Sequence, residues 1–175
     1  IAGEGVPEGA VIWATGVAGL ADLSSALGKP VGTGVKGQAA LLAHDARGAP
    51  QLFADGLHIV PHADGTVAIG STSERVYFGP NDTDDRLDLL IATARALVPA
   101  LAEAPVVERW AGVRPRAASR TPRRGPWPAR PGHYVANGGF KIGFGIAPKV
   151  GETLADLILD GRDAIPPGLR VEDSL

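Results

Sequence analysis

The 175-residue sequence contains no cysteine. This excludes disulfide bonds, thiolate metal sites and a cysteine nucleophile, and it is typical of a reducing compartment, so we expect a cytoplasmic location. Methionine is also absent and the chain starts at Ile1. Because a complete translated chain begins with methionine, we expect this sequence to be the C-terminal part of a longer protein.

Strong net charge and long apolar runs are missing as well. The formal net charge is −2, and no apolar run approaches the roughly 20 residues of a membrane span. We therefore predict neither a nucleic-acid nor a membrane partner. One stretch is locally basic, with no acid among its five arginines: Arg116, Arg120, Arg123, Arg124 and Arg130. We interpret it as a solvated, proline-rich loop. A nucleic-acid patch around Trp127 is the less favoured alternative.

The first 28 residues predict a strand and a helix. Residues 10–16 form an apolar, β-prone run that ends at Gly16, a pattern typical of a buried strand in a parallel α/β sheet. A short helix is predicted over residues 20–27, with Gly28 as its C-terminal stop.

The middle of the chain predicts an antiparallel sheet and one helix that covers it. Strands are expected at residues 35–42, 51–53, 57–61, 66–69 and 106–115, with a hairpin turn at residues 62–65. Acids and amides at residues 81–85 are interpreted as helix caps, and a metal site is the less favoured alternative. An apolar stripe at helical spacing follows: Leu87, Leu90, Ile91, Ala94, Leu97, Val98 and Leu101. Pro99 should bend this helix or split it at Val98.

The most informative stretch is residues 134–148, which predicts a strand, a glycine-rich turn and a helix. Pro148 is expected to open that helix and Gly161 to end it. A glycine-rich turn before a helix allows close backbone approach to a ligand, and the helix N-terminus favours negative charge. Lys141 adds a cation. A tight connection without a ligand is the alternative.

Four stretches occur together in order: residues 35–38, 65–74, 110–115 and 138–148. This ordered set resembles the C-terminal half of the FAD-dependent D-amino-acid oxidase family, which includes glycine oxidase and sarcosine oxidase-like enzymes. The resemblance implies a mixed α+β fold: an antiparallel-rich sheet of a substrate domain with a covering helix, plus elements that return to an α/β FAD-binding domain. Residues 1–28 would end the FAD-binding domain, residues 29–113 would belong to the substrate-binding domain, and residues 114–175 would return to the FAD-binding domain.

The resemblance also implies a site. Thr15 and Gly16 match the strand end near the dinucleotide, and the turn that lies against the flavin matches Gly138, Gly139, Phe140, Lys141, Ile142 and Gly143. Arg114 matches an arginine that holds the substrate carboxylate, which suits a guanidinium fork, and Lys141 matches a basic position near the flavin or the substrate. A purely structural arginine is the alternative for Arg114. The resemblance implies no side-chain base and no metal in this chain.

The resemblance implies that the parent protein oxidises an amine or amino acid with FAD, and that this chain alone is inactive. The sequence departs from the family pattern in two respects. No Gly-x-Gly-x-x-Gly fingerprint is present, so a missing N-terminal portion is expected to hold the phosphates. Residues 116–122 also lack the acid that usually follows Arg114-Pro115. A non-catalytic subunit or binding module with the same fold is therefore the second hypothesis, and the oligomeric state is open.

Overall fold

The computed structural model describes residues 9–128 and 130–174. In chain order they form β1 (Val11–Trp13), α1 (Gly16–Leu27), β2 (Gly32–Ala43), β3 (Leu52–Ala54), β4 (Leu57–Pro61), β5 (Thr66–Gly70), α2 (Asp85–Leu97), β6 (Val106–Ala117), β7 (Arg123–Pro126), β8 (His133–Asn137) and α3 (Gly143–Asp160). Two compact units result: one comprises the described residues up to Gly34 and from Arg114 onward, the other Val35–Val113.

The first unit contains a sheet of order β1-β8-β7. Strand β1 runs parallel to β8, with Val11 opposite His133, and β7 runs antiparallel to β8. The parallel-sheet character predicted for the first strand is therefore confirmed. On α1, Leu20 and Leu23 are buried in one cluster with Val135 of β8. Helix α3 contacts β7.

Both helices of this unit begin earlier than predicted. Helix α1 starts at Gly16 and not at residue 20. Helix α3 starts at Gly143, so Pro148 lies inside it and does not open it. Phe140 has a positive φ of 45°. It reverses the chain direction three residues before Gly143, so α3 can begin there. The predicted stops are confirmed, because Gly28 and Gly161 both cap their helices in the left-handed conformation.

The second unit confirms the antiparallel sheet with its covering helix. Its strands follow the order β3-β4-β5-β2-β6, with β5 antiparallel to both β4 and β2. The predicted hairpin at residues 62–65 is present: Gly65 has a φ of 84°, and the His62 N–H donates to the Thr66 carbonyl at 2.8 Å. The core between sheet and helix includes Ile59, Val67 and Leu87.

Helix α2 is capped and terminated largely as predicted. The Asp84 side chain caps it by accepting a hydrogen bond from the Arg86 N–H at 3.0 Å. The helix ends before Val98, and Pro99 starts a separate 3-10 turn, which confirms the predicted split. Leu97 was predicted in the buried stripe, and this is wrong because its side chain is 38% exposed. Leu97 is the last residue of the helix, and the chain leaves helical geometry at Val98.

The interpretation of the arginine-rich stretch as a solvated loop holds for Arg120 and Arg130, which are exposed outside the strands, but it is wrong for the other three arginines. Arg116 lies in β6, and Arg123 and Arg124 form the start of β7. Both β7 arginines are buried. These arginines lie in a strand because β7 pairs with β8, which places Arg123 opposite Asn137 and Arg124 opposite Ala136. The hydrophobic pattern gave no indication of a strand, because its side chains are charged.

An aromatic cluster surrounds the first residues of β8. The Trp13 indole N–H donates to Nδ1 of His133 at 2.8 Å. The Trp13 and Trp127 rings pack edge to face, with centroids 5.4 Å apart, and the Arg130 guanidinium lies 4.7 Å from the Trp127 centroid. Aromatic and cation–π contacts of this kind contribute beyond the burial of apolar area alone.

In the second unit, the buried carboxylate of Glu74 holds several segments together. It accepts hydrogen bonds from Gln38 Nε2 at 2.8 Å, from Thr72 Oγ1 at 2.5 Å and from Arg86 at 2.7 Å. Gln38 also accepts from the Asp84 N–H at 2.8 Å. The network therefore joins β2, the segment after β5 and the start of α2. Burial raises the pKa of Glu74, but the hydrogen bonds from Thr72, Gln38 and Arg86 outweigh it and the net pKa is lowered.

Candidate functional site

A cavity of about 490 Å³ lies in the first unit. Its wall is formed by the carboxyl ends of β1 and β8, the glycine-rich turn after β8 and the first half of α3. Carboxyl ends of parallel strands are the usual place for ligands in α/β sheets. The lining side chains are mainly apolar, and they include Ile12, Ile146, Val150 and Leu154. The cavity therefore suits a largely apolar molecule.

The glycine-rich turn is held in shape by backbone contacts with another strand. Gly138 adopts a φ of 79°, and Phe140 adopts 45° although it is not glycine. Such a conformation costs free energy in a non-glycine residue and persists only where the surroundings fix it. Here the Phe140 N–H donates to the Pro115 carbonyl at 3.0 Å, and Gly139 forms a β-bridge with Arg116. The turn is thus pinned to the end of β6.

The turn leads directly into the N-terminus of α3. Ile142 occupies the N-cap position without a side-chain cap, and the first turn of the helix carries no acid. The first N–H groups of a helix have no intrahelical acceptor, and the helix dipole places partial positive charge there. Lys141 is exposed, with its Nζ 5.8 Å from the Phe140 ring centroid. Both features favour an anion or a developing negative charge at this end of the cavity.

Glycine keeps the cavity open at two points. Gly16 and Gly143 line it, and a Cβ atom at either position would meet no other heavy atom within 4 Å. Larger side chains there would project into open space. Gly138 differs, because a Cβ on it would come 2.8 Å from the Cβ of Ala117. Glycine is therefore required at position 138 both by packing and by the positive φ.

Asn137 is a site residue that the sequence reasoning missed. Its side-chain Nδ2 donates to the Gly16 carbonyl at 2.8 Å, and its Oδ1 accepts from the Gly138 N–H at 2.7 Å. The side chain therefore ties the start of α1 to the turn after β8. A signal was present: a buried strand that ends in asparagine next to two glycines is a common place for a side chain to satisfy backbone groups.

Six of the predicted cofactor-binding residues line this single cavity: Gly16, Gly138, Gly139, Phe140, Lys141 and Gly143. Thr15 and Ile142 are absent from the lining of the described chain. Arg114, the predicted substrate ligand, is half-buried on β6; its neighbour Pro115 lines the cavity, but Arg114 itself does not. The sequence did not indicate the lining residues contributed by α3, because the helix was expected to start five residues later.

Among residues 9–128 and 130–174, no group of three or more histidine and acidic side chains could hold a metal ion. Within the same part of the chain, none of the helices combines the length and the hydropathy needed to span a bilayer.

Comparison with known proteins identifies the family. Residues 2–157 match the family described as FAD dependent oxidoreductase. The glycine oxidase of Pseudomonas aeruginosa is 37% identical over 132 residues, which cover 75% of this chain and 36% of that protein. The crystal structure of glycine oxidase from Geobacillus kaustophilus superposes with a TM-score of 0.76 at 29% identity, covering 91% of this chain and 44% of that one.

A more distant structure shows the same fold. Iminodiacetate oxidase from a Chelativorans species superposes with a TM-score of 0.77 at 22% identity and covers 93% of this chain. This chain spans less than half the length of each of these three relatives. The family match extends over most of the sequence, as the ordered motifs predicted, and the chain belongs to the family of FAD-dependent oxidoreductases.

Proposed function

We propose that this chain is part of an enzyme that oxidises an amine or amino acid, and that the cavity of the first unit holds the ring system of FAD. The observation that supports this most directly is that six residues selected by resemblance line one cavity at the N-terminus of α3. When bound, FAD supplies the redox chemistry by accepting a hydride equivalent from the substrate α-carbon.

The residues of this chain fit that group. An apolar wall suits a flat aromatic ring system, and the absence of side chains at Gly16 and Gly143 leaves room for it. The N–H groups of the first α3 turn, together with Lys141, provide positive potential where the ring gains negative charge on reduction. The role of this chain is thus to orient the ring and to stabilise charge. Thr15 and Ile142, next to lining residues, belong to the same proposed surface.

We place Arg114 at the substrate carboxylate. A planar guanidinium can donate to both carboxylate oxygens at once. Under this proposal, the unit up to Gly34 and from Arg114 onward belongs to the FAD-binding domain. Residues Val35–Val113 belong to the substrate-binding domain. A portion outside this chain would hold the FAD phosphates, and we propose a cytoplasmic location for the complete protein.

The test uses the complete gene product that carries these residues. Flavin absorbance should be present or restored by added FAD, and anaerobic addition of amino acids and of the corresponding amines should bleach it. The bleaching spectrum reports reduction independently of oxygen. A colourless protein that FAD cannot reconstitute would contradict the proposal.

A non-catalytic subunit with the same fold is the second candidate. It is supported by the segment after Pro115, which departs from the family and carries two buried arginines, Arg123 and Arg124. Stable flavin binding without bleaching by any amine or amino acid would favour this candidate over the enzyme.

A further inference from the structure

Two neighbouring arginines of β7 are equally buried but differ in their partners. Arg123 and Arg124 are each 6% exposed. Arg123 donates to the carbonyl oxygens of Gly168 and Arg170, both at 3.0 Å, and lies 3.8 Å from a carboxylate oxygen of Asp173. Carbonyl and carboxylate oxygens compensate much of the cost of removing this guanidinium from water.

Arg124 has no comparable set of acceptors. Its backbone N–H donates to Leu169 at 2.9 Å, and its carbonyl accepts from Val171 at 3.3 Å, so its position in the strand is fixed. Its side-chain Nε is buried without an acceptor. Within residues 9–128 and 130–174, no carboxylate lies within ion-pair distance of the Arg124 side chain.

Most acids of this unit are paired with other cations. Asp163 accepts a hydrogen bond from Arg170, and that bond raises the pKa of Arg170. Asp156 is paired with Arg162 in the same way. For Arg124, burial lowers the pKa and no acid opposes it. Even so, a guanidinium stays protonated in proteins. Arg124 therefore carries a buried positive charge without compensation from the described chain.

We propose that Arg124 binds an oxyanion that the described residues do not supply. A buried charge is retained in proteins when it is paired, because an unpaired one is strongly unfavourable. A planar guanidinium binds two oxygens of a carboxylate or a phosphate in the same bidentate way. The partner is thus a planar carboxylate or a phosphoryl group, and not a neutral polar group.

The strand register shows from which side the anion approaches. Arg123 lies opposite Asn137 and Arg124 opposite Ala136 in the β7–β8 pair. Successive side chains of a strand point to opposite faces of the sheet. Arg123 lines the cavity and Arg124 does not, so the Arg124 side chain leaves the sheet on the face opposite to that of Arg123. The oxyanion comes either from an acidic side chain outside the described residues or from a small molecule bound on that face.

The experiment compares substitutions at the two adjacent arginines in the complete, ligand-free gene product. Arg124→Met keeps an unbranched apolar stem and removes the charge. Arg124→Lys keeps the charge without the fork, and Arg123→Met is the control at equal burial. Melting temperatures are measured in a buffer poor in oxyanions and again during titration with inorganic phosphate. Arg123→Met should lower the melting temperature in both buffers, because it leaves two carbonyl acceptors unpaired.

Two results would support the proposal and identify the source of the anion. If Arg124→Met lowers the melting temperature without phosphate, and Arg124→Lys lowers it less, the partner is a carboxylate of the protein. If Arg124→Met raises the melting temperature without phosphate, and phosphate stabilises the wild type by several degrees but not this variant, the partner is a diffusible anion.

Two other results would overturn it. If phosphate shifts the melting temperatures of wild type and Arg124→Met equally while the substitution itself is neutral or stabilising, no anion is bound. Alternatively, Arg124→Lys could prove less stable than Arg124→Met where both are destabilised, which would mean that only the apolar stem matters. None of these readouts depends on flavin or on turnover, so failure here leaves the proposed enzymatic function untouched.

Discussion

The Asn137 side chain donates to the Gly16 carbonyl across 2.8 Å and so joins two segments 121 residues apart in sequence. Gly16 ends the connection after β1, and Asn137 ends β8. A single amide group therefore sets the distance between two walls of the cavity. The other end of the same amide fixes Gly138 at the start of the glycine-rich turn.

We expect Asn137→Ala to destabilise the complete protein by about 1–3 kcal/mol, because a half-buried carbonyl and a buried N–H lose their partner. Chemical unfolding measures this directly. Asn81→Ala is the control, since Asn81 is exposed, and it should change stability little. Asn137→Asp should also be destabilising, because its carboxylate cannot donate to Gly16. Equal stability of the alanine variant and the wild type would contradict the role of this amide.

Alanine at two glycines of the turn should have opposite effects on stability. At Gly138 the φ of 79° and the close Ala117 Cβ make alanine unfavourable by about 2 kcal/mol. At Gly143, alanine meets no neighbour and is a better helix former, so stability should stay equal or rise by up to about 1 kcal/mol.

The flavin content of the Gly143→Ala protein provides a second test. Gly143→Ala places a methyl group in the cavity, so the flavin-to-protein ratio of the purified complete protein should fall although the fold is intact. Absorbance at the flavin band against protein concentration gives this ratio. A fully flavinylated, normally stable Gly143→Ala protein would exclude close contact between this residue and the ring.

Lys141 should influence the redox potential of the bound flavin. Removing a positive charge from the end of the ring that gains negative charge makes reduction less favourable. For an exposed lysine we expect Lys141→Met to lower the midpoint potential by roughly 10–30 mV, where about 30 mV corresponds to 1.4 kcal/mol for two electrons. Lys149→Met, within α3, is the control, since Lys149 is exposed and paired with Glu152. Equal shifts in both variants would mean that Lys141 has no special position.

Glu74 should contribute to stability in a pH-dependent way. Its pKa in the folded protein lies below the ordinary 4.5, so its stabilising effect is fully present above pH 4.5. The effect is lost as the pH falls below 4.5 through the lowered folded-state value. Glu74→Gln should cost about 2 kcal/mol near neutral pH, because hydrogen bonds to a charged group are lost. The difference from wild type should shrink at acidic pH.

The measurement is a series of unfolding curves from pH 7 down to pH 3. Glu103→Gln serves as the control, since Glu103 is exposed and should give a curve parallel to wild type. A Glu74→Gln difference that is constant with pH would show that packing, and not charge, carries the effect.

If Arg114 binds the substrate carboxylate, Arg114→Ala should lower kcat/KM on amino acids at least tenfold, which corresponds to about 1.4 kcal/mol. Amines that lack the carboxylate should be affected little. Arg114→Lys should recover part of the loss, because an ammonium is a point charge without the planar fork. Flavin content should be unchanged in both variants. Steady-state kinetics on an amino acid and its decarboxylated amine decide the matter, and equal losses on both would assign Arg114 a structural role.

Features determined by local chemistry could be read from the sequence. The Gly65 turn, the Asp84 cap and the glycine stops after α1 and α3 depend on residues close in the chain, and each was predicted. The glycine-rich turn was also recognised, and the ordered motifs indicated the family. Caps, turns and the order of motifs depend only on which residues follow one another in the chain, so the sequence alone is sufficient to predict them.

Features that depend on distant partners could not be read. Strand β7 forms because β8 and the segment around Leu169 provide hydrogen-bond partners, although Arg123 and Arg124 are poor strand signals. Helix α3 starts at Gly143 because Pro115 fixes the backbone of Phe140. Propensity favoured a start at Pro148, and the tertiary contact overrode it. The acceptor of the Asn137 side chain also lies far away in sequence, so only the local signal of an asparagine before two glycines could have indicated its role.

The edge-to-face pair of Trp13 and Trp127 provides an optical probe of the first unit. Two indoles this close couple electronically, so near-ultraviolet circular dichroism should carry a signal that depends on their mutual orientation. Such signals vanish when fixed side-chain packing is lost, even where secondary structure survives. Trp110, in the second unit, can be replaced to leave the pair alone. The loosening of the unit that contains the cavity can then be followed spectroscopically in the absence of any coloured ligand.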